Sequence, residues 1–82
     1  MDFAVTFKKL RTKANVSRYR LAQWSGLSEA YLMRLESGER ENPSRDVVLM
    51  IGLSLAANSK DIDVFDINEL LEAALFAPLR HR

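Results

Sequence analysis

Residues 20–40, "RLAQWSGLSEAYLMRLESGER", carry helix-forming side chains throughout, yet Gly26 stands in their middle. A glycine inside a helix costs about 1 kcal/mol relative to alanine. The flanking residues resolve the conflict. Leu21 and Ala22 precede the glycine at helical spacing, Ser28 follows it as a helix N-cap, and Leu32 and Leu35 resume the apolar spacing. The stretch therefore reads as two helices of eight or nine residues meeting at "SGLS", with Gly26 in a left-handed turn. Isolated helices shorter than about 12–15 residues are marginal in water. Such a pair needs further helices to bury its apolar seam.

The rest of the chain supplies them. Phe3, Phe7, Leu10 and Ala14 share one face of a first helix over residues 3–14, with Lys8, Lys9, Arg11 and Lys13 around it. Ser17 caps the second helix, which runs to about residue 25, and Ser28 caps the third, to about 37. "SGERENP" is a loop closed by Gly38 and Pro43. Ser44 caps a fourth helix to about 57, with Val48, Ile51, Gly52 and Leu55 at helical spacing. "NSKDIDVFD" reads as a linker, and a fifth helix is expected over about 67–76, stopped by Pro78. Strand signals are nearly absent. The 82 residues thus predict an all-α, compact five-helix bundle forming a single domain over 1–82.

Composition narrows the function. With no cysteine there is neither a disulfide nor a thiolate metal site, which suits a cytoplasmic protein. No apolar run approaches the roughly 20 residues of a membrane span, and the N-terminus lacks the charge order of a secretory signal. The only histidine, His81, is one residue from the end, too isolated for a catalytic constellation. The carboxylates at 61, 63 and 66 lack the loop glycine and closing glutamate of a calcium site and read as capping or solvated acids. There is no glycine-rich phosphate loop. No enzyme, metal or cofactor is expected. Charge is uneven: residues 1–45 hold nine Lys or Arg against five acids, and residues 46–82 hold three against six. This polarity suggests that the first half meets an anion such as nucleic acid and the second half faces away.

The paired helices at 18–37 have helix-turn-helix dimensions. From Leu10 to Leu55 the chain resembles the phage-repressor-type (xenobiotic-response-element-like) helix-turn-helix transcriptional regulators. The resemblance covers about residues 3–57. It is carried by Leu10–Arg11, Leu21–Ala22, Gly26–Leu27–Ser28, Leu32, Leu35–Glu36, Gly38, Pro43 and the Val48, Ile51, Leu55 row. The family implies a lambda-repressor-like fold that binds double-stranded DNA, usually as a homodimer on inverted repeats, and regulates transcription. It also implies that Glu36 pairs with Arg11. Three positions depart from the family: Arg18 replaces a frequent glutamine, Ser25 a frequent apolar residue, and Ala30 a frequent polar base reader.

In this arrangement the third helix enters the major groove. Ser28, Glu29, Ala30, Met33 and Arg34 are the candidate base contacts, with Arg34 suited to bidentate pairing with guanine. Ser17, Arg18, Tyr31, Ser37, Arg40, Asn42 and Ser44 are the candidate phosphate contacts, which position the protein without specifying sequence. Lys8, Lys9 and Lys13 would add only positive field. Trp24 is read either as packing on residues 76–79 or as a partner surface. The fifth helix, with Phe65, Ile67, Leu70, Leu71, Leu75 and Phe76 in and around it, is the candidate dimer surface. The rival reading is a protein-interaction module, such as an antitoxin or an adaptor, that uses the same helices to bind protein.

Overall fold

The computed structural model describes residues 2–79. Its helices are α1 (Phe3–Ala14), α2 (Arg18–Ser25), α3 (Glu29–Ser37), α4 (Arg45–Asn58) and α5 (Val64–Ala73). Among the described residues there is no strand, and no helix is long and apolar enough to cross a membrane. The chain is all-α, as its sequence predicts.

Every helix start is fixed by a side chain that accepts an otherwise unpaired backbone N–H. Asp2 accepts from Ala4, Ser17 from Arg20, Ser28 from Tyr31 and Ser44 from Val47. Gly26 (φ 79°) and Gly38 (φ 85°) take the left-handed conformation that ends α2 and α3.

The helices close a ring of contacts: α1 packs on α3 and α5, α2 on α3 and α4, and α4 on α5. Phe7, Leu10, Leu21, Leu32, Leu35, Val48, Ile51, Leu55, Leu70 and Leu71 fill its centre, each almost fully removed from water. The α4–α5 crossing is close because Gly52 has no side chain. A Cβ there would stand 3.3 Å from both Ile67 Cγ1 and Cγ2.

The last helix begins and ends three residues earlier than its apolar spacing predicts. Asp63 accepts N–H bonds from Phe65 and Asp66, and the Asp66 carboxylate accepts from the Asp63 N–H, a reciprocal capping box that starts the helix inside "DIDVFD". It stops before Pro78 because Leu75 (φ 67°) turns left-handed. The Leu75 and Phe76 N–H groups then close on the Glu72 and Leu71 carbonyls. Ile67, Leu70 and Leu71, expected on a dimer surface, are consumed by the chain's own core.

The lysines of α1 also depart from expectation. Lys13 Nζ lies 3.1 Å from both carboxylate oxygens of Asp66, and Lys9 pairs with Glu69. The hydrogen bond to Asp66 raises the Lys13 pKa, with added field from Asp63 and Asp61. Part of the charge polarity of the sequence is thus an internal α1–α5 pairing rather than two opposed surfaces.

Two substitutions test these backbone arguments. Leu75 is 90% exposed and has little packing to lose, so Leu75→Gly should raise stability by about 1 kcal/mol through relief of the left-handed strain. Gly52→Val should lower it by about 1–3 kcal/mol through overpacking against Ile67. Urea unfolding followed by circular dichroism reads both; a destabilised Leu75→Gly or a neutral Gly52→Val would contradict the geometry.

Candidate nucleic-acid interface

The orientation of α3 is fixed from two sides. Leu32 and Leu35 are buried against the α1 and α2 side chains of the core. On the flank, Glu36 receives a two-pronged bond from Arg11, Nε to Oε2 at 2.7 Å and Nη2 to Oε1 at 2.6 Å. The pair implied by the family resemblance is therefore formed. The third prong of the fork, Arg11 Nη1, donates to the Val16 carbonyl at 2.9 Å. Arg18 Nη1, at the start of α2, lies 3.4 Å from Glu36 Oε1. One carboxylate thus joins α1, the α1–α2 turn, α2 and α3. The Glu36 side chain is only 5% exposed. Burial pushes its pKa up, but the Arg11 hydrogen bonds and the charges of Arg11, Arg18 and Lys8 outweigh burial and hold it below the ordinary carboxylate value. Arg11 is shifted upward by the same bond.

With that inner side pinned, the outer side of α3 presents Glu29, Ala30, Met33, Arg34 and Ser37, all exposed. Met33 is 47% exposed, high for a large apolar side chain. Ser28, exposed at the helix start, spends its Oγ on the Tyr31 N–H at 3.0 Å, so its free contribution is hydroxyl donation. Glu29 sits in the first turn, where the helix dipole favours an acid.

Around this face lie the expected phosphate ligands. Ser17, Ser37, Arg40, Asn42 and Ser44 are exposed, while Arg18 and Tyr31 are half-buried. The Arg40 guanidinium lies over the Tyr31 ring, 5.6 Å from its centre. The Arg40 N–H also donates to the Arg34 carbonyl at 3.0 Å, which folds the loop back beneath the end of α3. Asn42 adopts a left-handed conformation (φ 57°) that asparagine tolerates. Ser37 Oγ donates to the Arg34 carbonyl and accepts from the Glu39 N–H. Arg18 is the one phosphate candidate that already has an anionic partner, a feature that spacing alone does not reveal.

Ser25, at a position where an apolar residue is common, is buried without an orphaned hydroxyl: its Oγ accepts the Leu27 N–H at 3.2 Å, inside the turn. Trp24 keeps 37% of its surface exposed on α2. Among the described residues no group of His, Cys, Asp or Glu could hold a metal ion; His81 lies outside them.

Comparison with protein families matches residues 2–51 to the helix-turn-helix domain. The chain belongs to that family. Its match spans α1 through the middle of α4, and so includes the Arg11–Glu36 pair and the whole α2–α3 unit. Neither the curated proteins nor the solved structures give a match. The family is one of DNA-binding rather than enzymatic domains, which agrees with the resemblance to phage-repressor-type regulators.

The Glu36 site carries a pH dependence of known sign. Its carboxylate has a lower pKa folded than unfolded, so its stabilisation is complete above the ordinary value of 4.5 and is lost as pH falls through the folded value. Glu36→Gln should cost about 2–3 kcal/mol at neutral pH by leaving Arg11 without its counter-charge. It should also flatten the fall in melting temperature on acidification below pH 4.5. Thermal melts of both proteins across this range provide the check; parallel acid slopes would show that Glu36 is not the linked group.

Proposed function

We propose that the helix-turn-helix domain is a sequence-specific DNA-binding transcriptional regulator whose α3 enters the major groove. The observation that carries this reading is the division of α3 into two faces. Leu32, Leu35 and Glu36 are tied inward, and the exposed side chains of Glu29, Ala30, Met33 and Arg34 point outward without a hydrogen bond or salt bridge among the described residues. In the reading, Arg34 pairs with a guanine edge, Ala30 and Met33 offer apolar contact to a thymine methyl, and Glu29 accepts from a cytosine amino group. Ser28 stands at the groove edge. Arg18, Arg40, Tyr31, Asn42 and the hydroxyls of Ser17, Ser37 and Ser44 hold the two flanking phosphate backbones. A homodimer would place two copies of α3 in half-sites about 10 bp apart, or a multiple of it.

Selection of bound duplexes from a random pool, followed by titration of the winner, tests the proposal. Arg34→Ala should weaken the selected site by about 1–3 kcal/mol and relax preference at one base pair per half-site. Arg40→Ala should weaken all sequences alike and reduce the salt slope by about one unit. A uniform loss from Arg34→Ala would reassign Arg34 to phosphate. Failure to enrich any sequence at low salt would overturn the reading in favour of a protein-binding module.

A further inference from the structure

Methionine usually fills irregular gaps inside a core. In this bundle the long buried side chains are leucine, isoleucine and phenylalanine, and neither described methionine belongs to the core cluster. Met33 on α3 is 47% exposed and Met50 on α4 is 39% exposed. Met1 lies outside the described residues. Both described thioethers are therefore open to a small oxidant in solvent. The chain has no cysteine, so no thiolate, the more reactive sulfur, competes with them for it.

Hydrogen peroxide converts a thioether to a sulfoxide. Sulfur loses two electrons and gains the oxygen, the peroxide O–O bond breaks, and water leaves. Inside a core the new polar group disrupts packing. On an outward face it leaves the packing alone and changes only what that face can touch. Met33 stands with Ala30 and Arg34 on the outward side of α3 and is the one large apolar side chain there. Oxidation replaces its carbon-and-sulfur surface with a strong hydrogen-bond acceptor. The major-groove edges of guanine and thymine present acceptors and a methyl group, with no donor to meet that oxygen. Glu29 already adds acceptors to this face, so the sulfoxide deepens a mismatch instead of replacing the lost methyl contact.

We infer that Met33 is a redox-modification site: peroxide oxidation of its thioether weakens the reading face of α3 while the bundle stays folded. The step is reversible. A sulfoxide reductase returns the thioether as a dithiol is oxidised to a disulfide and the oxygen leaves as water. This role rests on the entry of α3 into the major groove proposed above. Met50 is the internal control. Its exposure is similar, but it stands on α4, whose principal contacts are with α2 and α5 and not with α3. Its oxidation leaves the reading face unchanged.

The test is hydrogen peroxide treatment of the full chain, followed by mass spectrometry of its peptides and titration of a duplex selected from a random pool. Met33 and Met50 should each gain one oxygen. The selected duplex should then bind about tenfold more weakly, with little change in the circular dichroism melt. Sulfoxide reductases for both epimers, supplied with dithiothreitol, should restore binding. Each variant is compared with its own untreated form: Met33→Leu should lose the sensitivity to peroxide and Met50→Leu should keep it. Bound duplex should slow oxidation of Met33 relative to Met50. Sensitivity that persists in Met33→Leu, a fully oxidised Met33 that binds as before, or a loss of binding that accompanies unfolding would overturn the redox role and leave the DNA-binding reading standing. Equal oxidation of Met33 with and without bound duplex, or a chain that enriches no duplex at low salt, would overturn the major-groove reading and the redox role together.

Discussion

The Arg11–Glu36 fork is the contact on which the presentation of α3 depends. The leucine seam of the α2–α3 unit is apolar and therefore almost without direction: it brings the helices together but tolerates small rotations. A two-pronged guanidinium–carboxylate bond does not, because both oxygens must meet donors in a plane. Taking Glu36 out of water costs energy that its bonds to Arg11 offset, so the pair adds little net stability over an apolar substitute. Its value is geometric. It fixes one edge of α3 to α1, and the Arg11 bond to the Val16 carbonyl fixes the α1–α2 turn to the same atoms. The opposite face of α3 is thereby aimed.

The other half of the bundle supports that aim without sharing it. Gly52 lets α5 approach α4 closely, and Lys9 and Lys13 hold α5 to α1 from across the chain. Since α1 also carries Arg11, the two sets of charges act on one helix from different sides. The exposed Lys9–Glu69 pair adds little by itself. The Lys13–Asp66 pair does more, because the buried Asp66 carboxylate also closes the capping box that starts α5. The beginning of the last helix is thus tied to the end of the first.

Local chemistry was legible in the sequence, and remote pairing was not. Ser17, Ser28 and Ser44 announce helix starts and Gly26 and Gly38 announce ends, because each acts on backbone within four residues of itself. The α5 boundaries were misplaced for the same reason in reverse. Asp63 and Asp66 cap as serine does, but in a run of acids they resemble a solvated loop, and Leu75 performs a turn for which glycine would be the signal. Lys9 and Lys13 reach partners 60 and 53 residues away, so no spacing rule connects them. Arg11 and Glu36 are also far apart, and only family resemblance paired them. The outward side of α3 followed from helical spacing once Leu32 and Leu35 were placed inside. What those side chains touch does not follow from spacing, since exposure defines availability and not a contact.

The composition of that outward face sets a further demand. Arg34 is its one side chain with a strong, directional base contact to offer; Ala30 and Met33 present carbon and sulfur, and Glu29 repels phosphate on approach. One such helix distinguishes few base pairs, and at about 1–3 kcal/mol each these set a modest preference over random sequence. Joining two copies makes the second contact intramolecular, so the discrimination of two half-sites combines while the entropy of bringing in a second free molecule is not lost again. On the proposed DNA-binding reading, a face this sparse discriminates strongly only where two copies act together. In the bundle α2 is packed on both α3 and α4, so neither of those helices has to cover the outward side of the other.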